Sequence, residues 1–380
     1  MYNLEKILDE LNNDNLLRCR REINSRSGKI LEIDGKDFID FCSNDYLGFA
    51  DDEITKSAAI DAMEKWGTGA AASRLISGDL SITRTLENKI AEFKQTEAAL
   101  VFPTGYMANL GAITSLVGKN DTVILDRLAH ASLIDGARLS GARFKVFPHN
   151  DVEKLASVLA KISSGKKLVL TESVFSMDGD VAPLDELVSC CEQNDAILLI
   201  DEAHALGVYG SGRGLVAEKN LANKIDVVVG TLSKALGSQG GFVAGKKSLI
   251  EFLVNRARSF IYTTGINPAS VCAAIAAIDN LTSEVSRVKK LWENVKLFRD
   301  AIKELPLIGE GPICPIIIGS SDKALALSKM LYEAGYLAPA IRPPTVPNNT
   351  ARIRVTISAA HSKEQIEDLA KFIIACYEIL

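Results

Sequence analysis

Two rhythms of apolar residues run along this chain of 380 residues. Between residues 98 and 245 short unbroken apolar runs recur: AALVF, DTVIL, RFKVF, KLVLTE, AILLID, DVVVG and GFVAG. Between several of them lie stretches with helical spacing, such as DVEKLASVLAKI from Asp151 and LDELVSCCEQN from Leu184. Continuous apolar runs predict strands buried on both faces, and their alternation with helices predicts a mainly parallel sheet of βαβ units. The last two runs differ, because TLSKALGSQG between them is too short for a full crossover helix.

The flanks read differently. Residues 3–13 predict a helix with Leu4, Ile7, Leu8 and Leu11 on one face, and ILEIDGKDFIDF at 30–41 alternates like a hairpin turning at Asp34-Gly35. After about residue 265 long helices follow, then a βαβ-like tail of PICPIII, KALALSKMLYEAG, ARIRVTI and KEQIEDLAKFIIACYEI. The pattern predicts an α/β protein in three segments: an N-terminal helix and hairpin over 1–45, a large α/β domain over 46–285 and a small α/β domain over 286–380.

Composition narrows the function. Apolar residues make up 47% and charged residues 24%, with a net charge of −5, an ordinary globular balance that disfavours a nucleic-acid motor. The seven cysteines (19, 42, 190, 191, 272, 314 and 376) form no CxxC pair, which fits neither a disulfide framework nor a zinc site and suggests a reducing compartment. The acidic N-terminus lacks a signal-peptide pattern and no apolar run reaches membrane-spanning length, so the expectation is a cytoplasmic protein with no membrane partner and no metal.

The stretch LLIDEAHALG contains the tetrapeptide of nucleic-acid helicases, Asp201 to His204. An ATP motor also needs GxxxxGK[ST], and neither Gly118-Lys119 nor Gly165-Lys166 supplies it. GTGAAA at 67–72 fits a loose dinucleotide pattern but follows a helical segment rather than a strand. A different chemistry suits the acidic residue. Asp201 ends a buried strand, His204 lies three residues on, and Lys234 follows the end of another short strand. A lysine for a Schiff base and an acid for a pyridinium nitrogen are what pyridoxal phosphate requires. FPTGYMANLGAI adds a strand end, a turn and a helix N-terminus able to cradle a dianion.

Several long motifs then occur in one order: FCSNDYLGFA, FPTGYMAN, DRLAHASLIDGARLSGA, TESVFSMDGDVAPL, LLIDEAHALGVYG, TLSKALGSQGG and AIRPPTVPNNTARIRVTISAAH. Over essentially its whole length the sequence resembles the α-oxoamine synthase family of fold-type I pyridoxal-phosphate enzymes. The resemblance implies an aspartate aminotransferase-like fold, a homodimer with active sites at the interface, and pyridoxal 5′-phosphate as a Schiff base on Lys234. It implies Asp201 at the pyridinium nitrogen, His204 and Ser176 at the phenolic oxygen, and His130 stacked on the ring. Thr231, Gly105 and Tyr106 would hold the phosphate and ring edge, with Glu172 in the polar network around them. Arg354, helped by Asn44, would bind the amino-acid carboxylate, although Arg352 shares its strand face. Thr345 and Arg18 would contact the acyl substrate.

Within the family the AIRPPTVP and TARIRVTISAAH motifs are most similar to members that condense L-alanine with a pimeloyl thioester on coenzyme A or acyl carrier protein. Members using other amino acids and acyl chains are the alternative, and a non-catalytic subunit is a remote one disfavoured by Lys234. The sequence departs from the family pattern at Ala205-Leu206 and at Thr83, near which a histidine is common; both departures would bear on the acyl pocket.

Overall fold

The computed structural model describes residues 3–13, 16–18 and 20–380, so Cys19 lies outside the described residues. The expected N-terminal helix spans Leu4–Asn13. Three short strands follow, β1 (Ser25–Ser27), β2 (Ile30–Ile33) and β3 (Lys36–Asp40), with β2 and β3 antiparallel. Asp34 and Gly35 between them both adopt positive φ, 51° and 74°, the two-residue turn whose twist matches a hairpin. The helix Glu53–Trp66 ends at Gly67 with φ 76°, so GTGAAA is a helix exit and not a phosphate loop.

The apolar runs form one sheet. Its strands are β4 (Ala98–Phe102), β5 (Thr122–Asp126), β6 (Arg143–Phe147), β7 (Lys167–Glu172), β8 (Ile197–Asp201), β9 (Val227–Thr231) and β10 (Gly241–Gly245), in the order β4-β10-β9-β8-β7-β5-β6. Pairings from β6 through β9 are parallel. β10 runs antiparallel to both β9 and β4, because a parallel return needs a crossover of about a dozen residues or more and the Leu232–Gly240 link is too short. β4, β5, β7, β8 and β9 therefore open their carboxyl ends on one edge, where ligands of α/β sheets bind.

Alternate residues of each strand enter opposite hydrophobic layers: Ile124, Leu198 and Ile200 face one, Leu125, Leu170 and Leu199 the other. β6 departs from the expectation of strands buried on both faces. It is the sheet's edge, and Arg143 through Val146 are exposed.

The C-terminal part adds β11 (Ile313–Gly319), β12 (Tyr336–Leu337), β13 (Ala340–Ile341) and β14 (Ala351–Thr356). β14 lies between β11 and β13, and β12 pairs in parallel with β3. The same hydrophobic layer that contains Ile124 continues through Ile353 and Ile366, so the C-terminal elements pack on the main sheet. Among the described residues no helix is long and apolar enough to cross a membrane. Cys42, Cys190, Cys191, Cys272, Cys314 and Cys376 are free thiols.

Candidate active site

Lys234 lies three residues beyond β9, in a turn that Thr231 braces by accepting from the Ser233 amide at 3.1 Å and donating to the Gly240 carbonyl at 2.9 Å. Its Nζ meets His204 Nε2 at 2.7 Å, and His204 Nδ1 meets the Tyr46 hydroxyl at 2.6 Å. Tyr46 donates on to Asn44 Oδ1 at 3.3 Å, which also accepts from Arg354 at 3.1 Å. A continuous polar chain thus joins Lys234 to Arg354 through residues of β14, the N-terminal segment and the loop after β8. Burial, reinforced by the Lys234 and Arg354 charges, holds His204 well below its ordinary pKa, so the ring is neutral. Burial also lowers Lys234 to about 8, against the opposing pull of Asp201 and Glu172.

A second network meets the first at Asp201. Its carboxylate accepts from Asn109 at 2.7 Å and from the Ala203 amide at 2.9 Å. Asn109 also donates to the Ser132 hydroxyl at 2.9 Å, and Ser132 sits 2.8 Å from His130 Nδ1. His130 caps the helix Ala131–Ser140, and burial lowers its pKa further with help from Lys234, against Asp201. Glu172, at the end of β7, is buried; burial and the nearby Asp201 raise it to about 8, so it carries a proton at neutral pH.

The helix Gly105–Leu116 points its N-terminus into this space. Thr104 accepts from the Met107 amide at 3.1 Å. The amides of Gly105 and Tyr106 belong to the first turn and have no intrahelical acceptor. β10 begins against this turn: a Cβ on Gly241 would come within 2.4 Å of Gly105, so only glycine permits the approach. Gly105, Tyr106, His130, Glu172, Asp201, His204, Thr231 and Lys234 all line one cavity, together with Asn109 and Ser132. The Tyr106 hydroxyl is hydrogen-bonded to Asp135.

Other expected residues lie elsewhere. Ser176 is not in the cavity wall; its carbonyl accepts from Arg354 at 2.8 Å. Arg354 also donates to Thr356 at 2.8 Å and has no carboxylate partner among the described residues, whereas Arg352 is ion-paired with Asp178. Thr345 is exposed and lines a neighbouring cavity. Arg18 is exposed, and among the described residues no side-chain bond places it in the cavity. Ala205, Leu206 and Thr83 are 0%, 1% and 2% exposed and line neither space, so the departures expected to shape the acyl pocket are core substitutions.

Sequence reasoning missed Tyr46, Asn109, Ser132 and Lys94. Glu202, inside the Asp201–His204 tetrapeptide, forms a fully buried ion pair with Lys94 and accepts from the Val216 amide at 2.8 Å.

The family model for aminotransferase class I and II matches residues 36–373. The chain belongs to this family. Among curated members it is 46% identical to the 8-amino-7-oxononanoate synthase of Thermoanaerobacter pseudethanolicus, over 97% of this chain and 95% of that one. The 8-amino-7-oxononanoate synthase of Geobacter sulfurreducens is 44% identical over 95% of this chain and 94% of its own. Serine palmitoyltransferase from Sphingomonas wittichii superposes with a TM-score of 0.93 at 31% identity, covering 99% of this chain and 97% of that one. A structure of SPT with PLP as internal aldimine gives a TM-score of 0.94 at 32% identity, covering 99% and 97%. The α-oxoamine synthase resemblance, the fold-type I architecture and pyridoxal phosphate as cofactor are borne out by this family membership.

The cavity suits that cofactor. Glu172 Oε1 and Asn109 Oδ1 are buried there without a hydrogen-bond partner, and the helix N-terminus offers unpaired amides. An anion at the helix N-terminus would satisfy those amides, and the Asp201 carboxylate would accept from a protonated ring nitrogen.

Proposed function

We propose that the protein catalyses the decarboxylative condensation of L-alanine with a pimeloyl thioester. The products are 8-amino-7-oxononanoate, CO₂ and the free thiol carrier. When bound, pyridoxal phosphate supplies an aldehyde that condenses with amines and a ring that stabilises negative charge on the adjacent carbon. Lys234 would hold the cofactor and then move the α-proton of alanine on its Nζ; burial, which disfavours the ammonium form, favours the neutral amine that this step needs. Asp201, oriented by Asn109, would balance the ring nitrogen, and neutral His130 would cover the ring. Neutral His204, held between Tyr46 and Lys234, would lie beside the ring oxygen.

Gly105, Tyr106 and Thr231 hold the phosphate end, and protonated Glu172 completes the buried network. Arg354 receives the alanine carboxylate with Asn44 beside it, and Ser176 keeps the guanidinium in place. Thr345 and Arg18 contact the acyl donor. The chain works as a homodimer; the exposed apolar side chains Ile76 and Tyr262, 81% and 71% accessible, support a second copy covering them.

The observation that carries the substrate assignment is the 46% identity over nearly the whole of both chains. A panel of pimeloyl, succinyl, acetyl and palmitoyl thioesters against alanine, glycine and serine tests it. Alanine with pimeloyl should dominate; a preference for palmitoyl with serine would move the protein to the palmitoyltransferase branch. Lys234→Ala should abolish turnover, and activity at the native rate would reject the assignment of Lys234.

A further inference from the structure

A cavity of about 390 Å³ lies beside the active site, on the far side of the Leu128–His130 segment. Its wall is largely apolar, with Leu128, Ile134, Phe175, Met177 and Val346. Two charged residues reach it. Asp178 is ion-paired with Arg352. Arg127 is exposed, and its side chain has no hydrogen bond or ion pair among the described residues.

The cavity is tied to the reacting centre on two sides. Ala129 in its wall is joined to His130 in the catalytic cavity. Phe175 and Met177 flank Ser176, whose carbonyl fixes Arg354.

An apolar channel with one uncompensated guanidinium matches a methylene chain that ends in a carboxylate. The lengths agree as well. Arg127 is three residues from His130, so their Cα atoms are at most ~11 Å apart. The six carbon–carbon bonds of a seven-carbon chain span about two extended residues, ~7 Å, within reach of a long arginine side chain. Asp178 is already paired with Arg352, so it neither occupies Arg127 nor repels the chain strongly.

The geometry points to Arg127 as the residue that recognises the ω-carboxylate of a dicarboxylic acyl donor, with this cavity as the seat of its methylene chain. The assignment rests on the proposed pimeloyl substrate. It makes Arg127 a specificity determinant: an apolar pocket alone discriminates weakly between chains of equal length, whereas a charge-assisted contact left unpaired discriminates strongly.

The test compares pimeloyl and heptanoyl groups, each as the N-acetylcysteamine thioester and as the coenzyme A thioester, with wild type, Arg127→Gln and Arg127→Lys. The short thioester carries no phosphate, so it separates the acyl carboxylate from the carrier's own anions. For wild type, pimeloyl should exceed heptanoyl in kcat/KM by about 10- to 100-fold. Arg127→Gln should remove that advantage on both carriers, leave heptanoyl within about twofold and leave the KM for alanine unchanged; Arg127→Lys should restore part of it.

Equal losses for both acyl groups, or a loss on coenzyme A alone, would overturn the assignment and make Arg127 a carrier contact. No change in any thioester would overturn it too. Failure of the wild type to use pimeloyl at all would instead reject the proposed function, and the carboxylate assignment with it. Arg127 is exposed and unpaired, so the variants keep the fold; an unchanged urea unfolding midpoint checks this.

Discussion

The Lys94–Glu202 pair offers a test of how the active-site loop is held. Lys94 and Glu202 side chains are 1% and 0% exposed, and Glu202 lies between Asp201 and His204. Glu202→Gln removes the charge while keeping the size and an oxygen for the Val216 amide. It leaves the Lys94 ammonium in a dry site with one carbonyl partner, that of Arg213. Breaking a buried pair by neutralising one member costs about 3–5 kcal/mol, because the remaining charge is uncompensated. Adding Lys94→Met removes that charge, and the double variant should recover to within about 1–2 kcal/mol of wild type.

Gly214 restricts relaxation, since its Cα already abuts both side chains: a Cβ there would lie 2.6 Å from Glu202 Oε2 and 2.8 Å from Lys94 Nζ. Urea unfolding of the four cofactor-free proteins gives the cycle. A cost below about 1 kcal/mol for Glu202→Gln, or a double variant no more stable than the single, would refute the reasoning.

Three other outcomes are expected. In cofactor-free protein, Lys234→Met should raise stability by up to about 3 kcal/mol below pH 8, since burial moves the folded-state pKa from 10.5 to about 8 and penalises the protonated amine. The unfolded chain binds more protons between those values, so wild type should gain stability from pH 8 to 10.5 and the difference should fade; a pH-independent difference contradicts this. Asn109→Ala deprives Asp201 of its side-chain donor and should weaken cofactor retention by about 10- to 100-fold, read as the dissociation constant for pyridoxal phosphate. His149 is opposed by burial but raised to about 9 by bonds to Asp126 and Asp180. Its stabilisation, up to about 3 kcal/mol, is complete below pH 6.5 and lost as pH rises through 9, so His149→Gln should cost most at pH 6 and little at pH 9.5 by urea titration.

Much of the framework was legible in the chain. Unbroken apolar runs marked the central strands because both faces of a parallel sheet are covered, and the short link before GFVAG already set β10 apart. Lys234, Asp201 and His204 were legible because strand ends carry the chemistry of such sheets. β12 and β13, two residues each, have no periodicity to read. Tyr46 and Asn109 sat inside recognised motifs, yet their partners are 158 and 92 residues away, and only the fold brings those distances to contact. Nothing local marks Glu202, because its partner, Lys94, ends a helix 108 residues earlier. Exposure along β6 was hidden because edge position depends on strand order, not on the strand's own sequence.

The pairing of β3 with β12 has a consequence for biosynthesis. β3 emerges early from the ribosome, while Tyr336 and Leu337, against which Ile39 and Asp40 pair, emerge almost three hundred residues later. At ~5–20 residues per second that is a wait of about 15–60 s. Throughout it the hairpin's open edge must stay unpaired, and Tyr46 and Asn44 cannot yet reach Arg354. Translation pauses before residue 336, or chaperones that shield extended edges, should therefore govern the yield of active protein more than its final stability does.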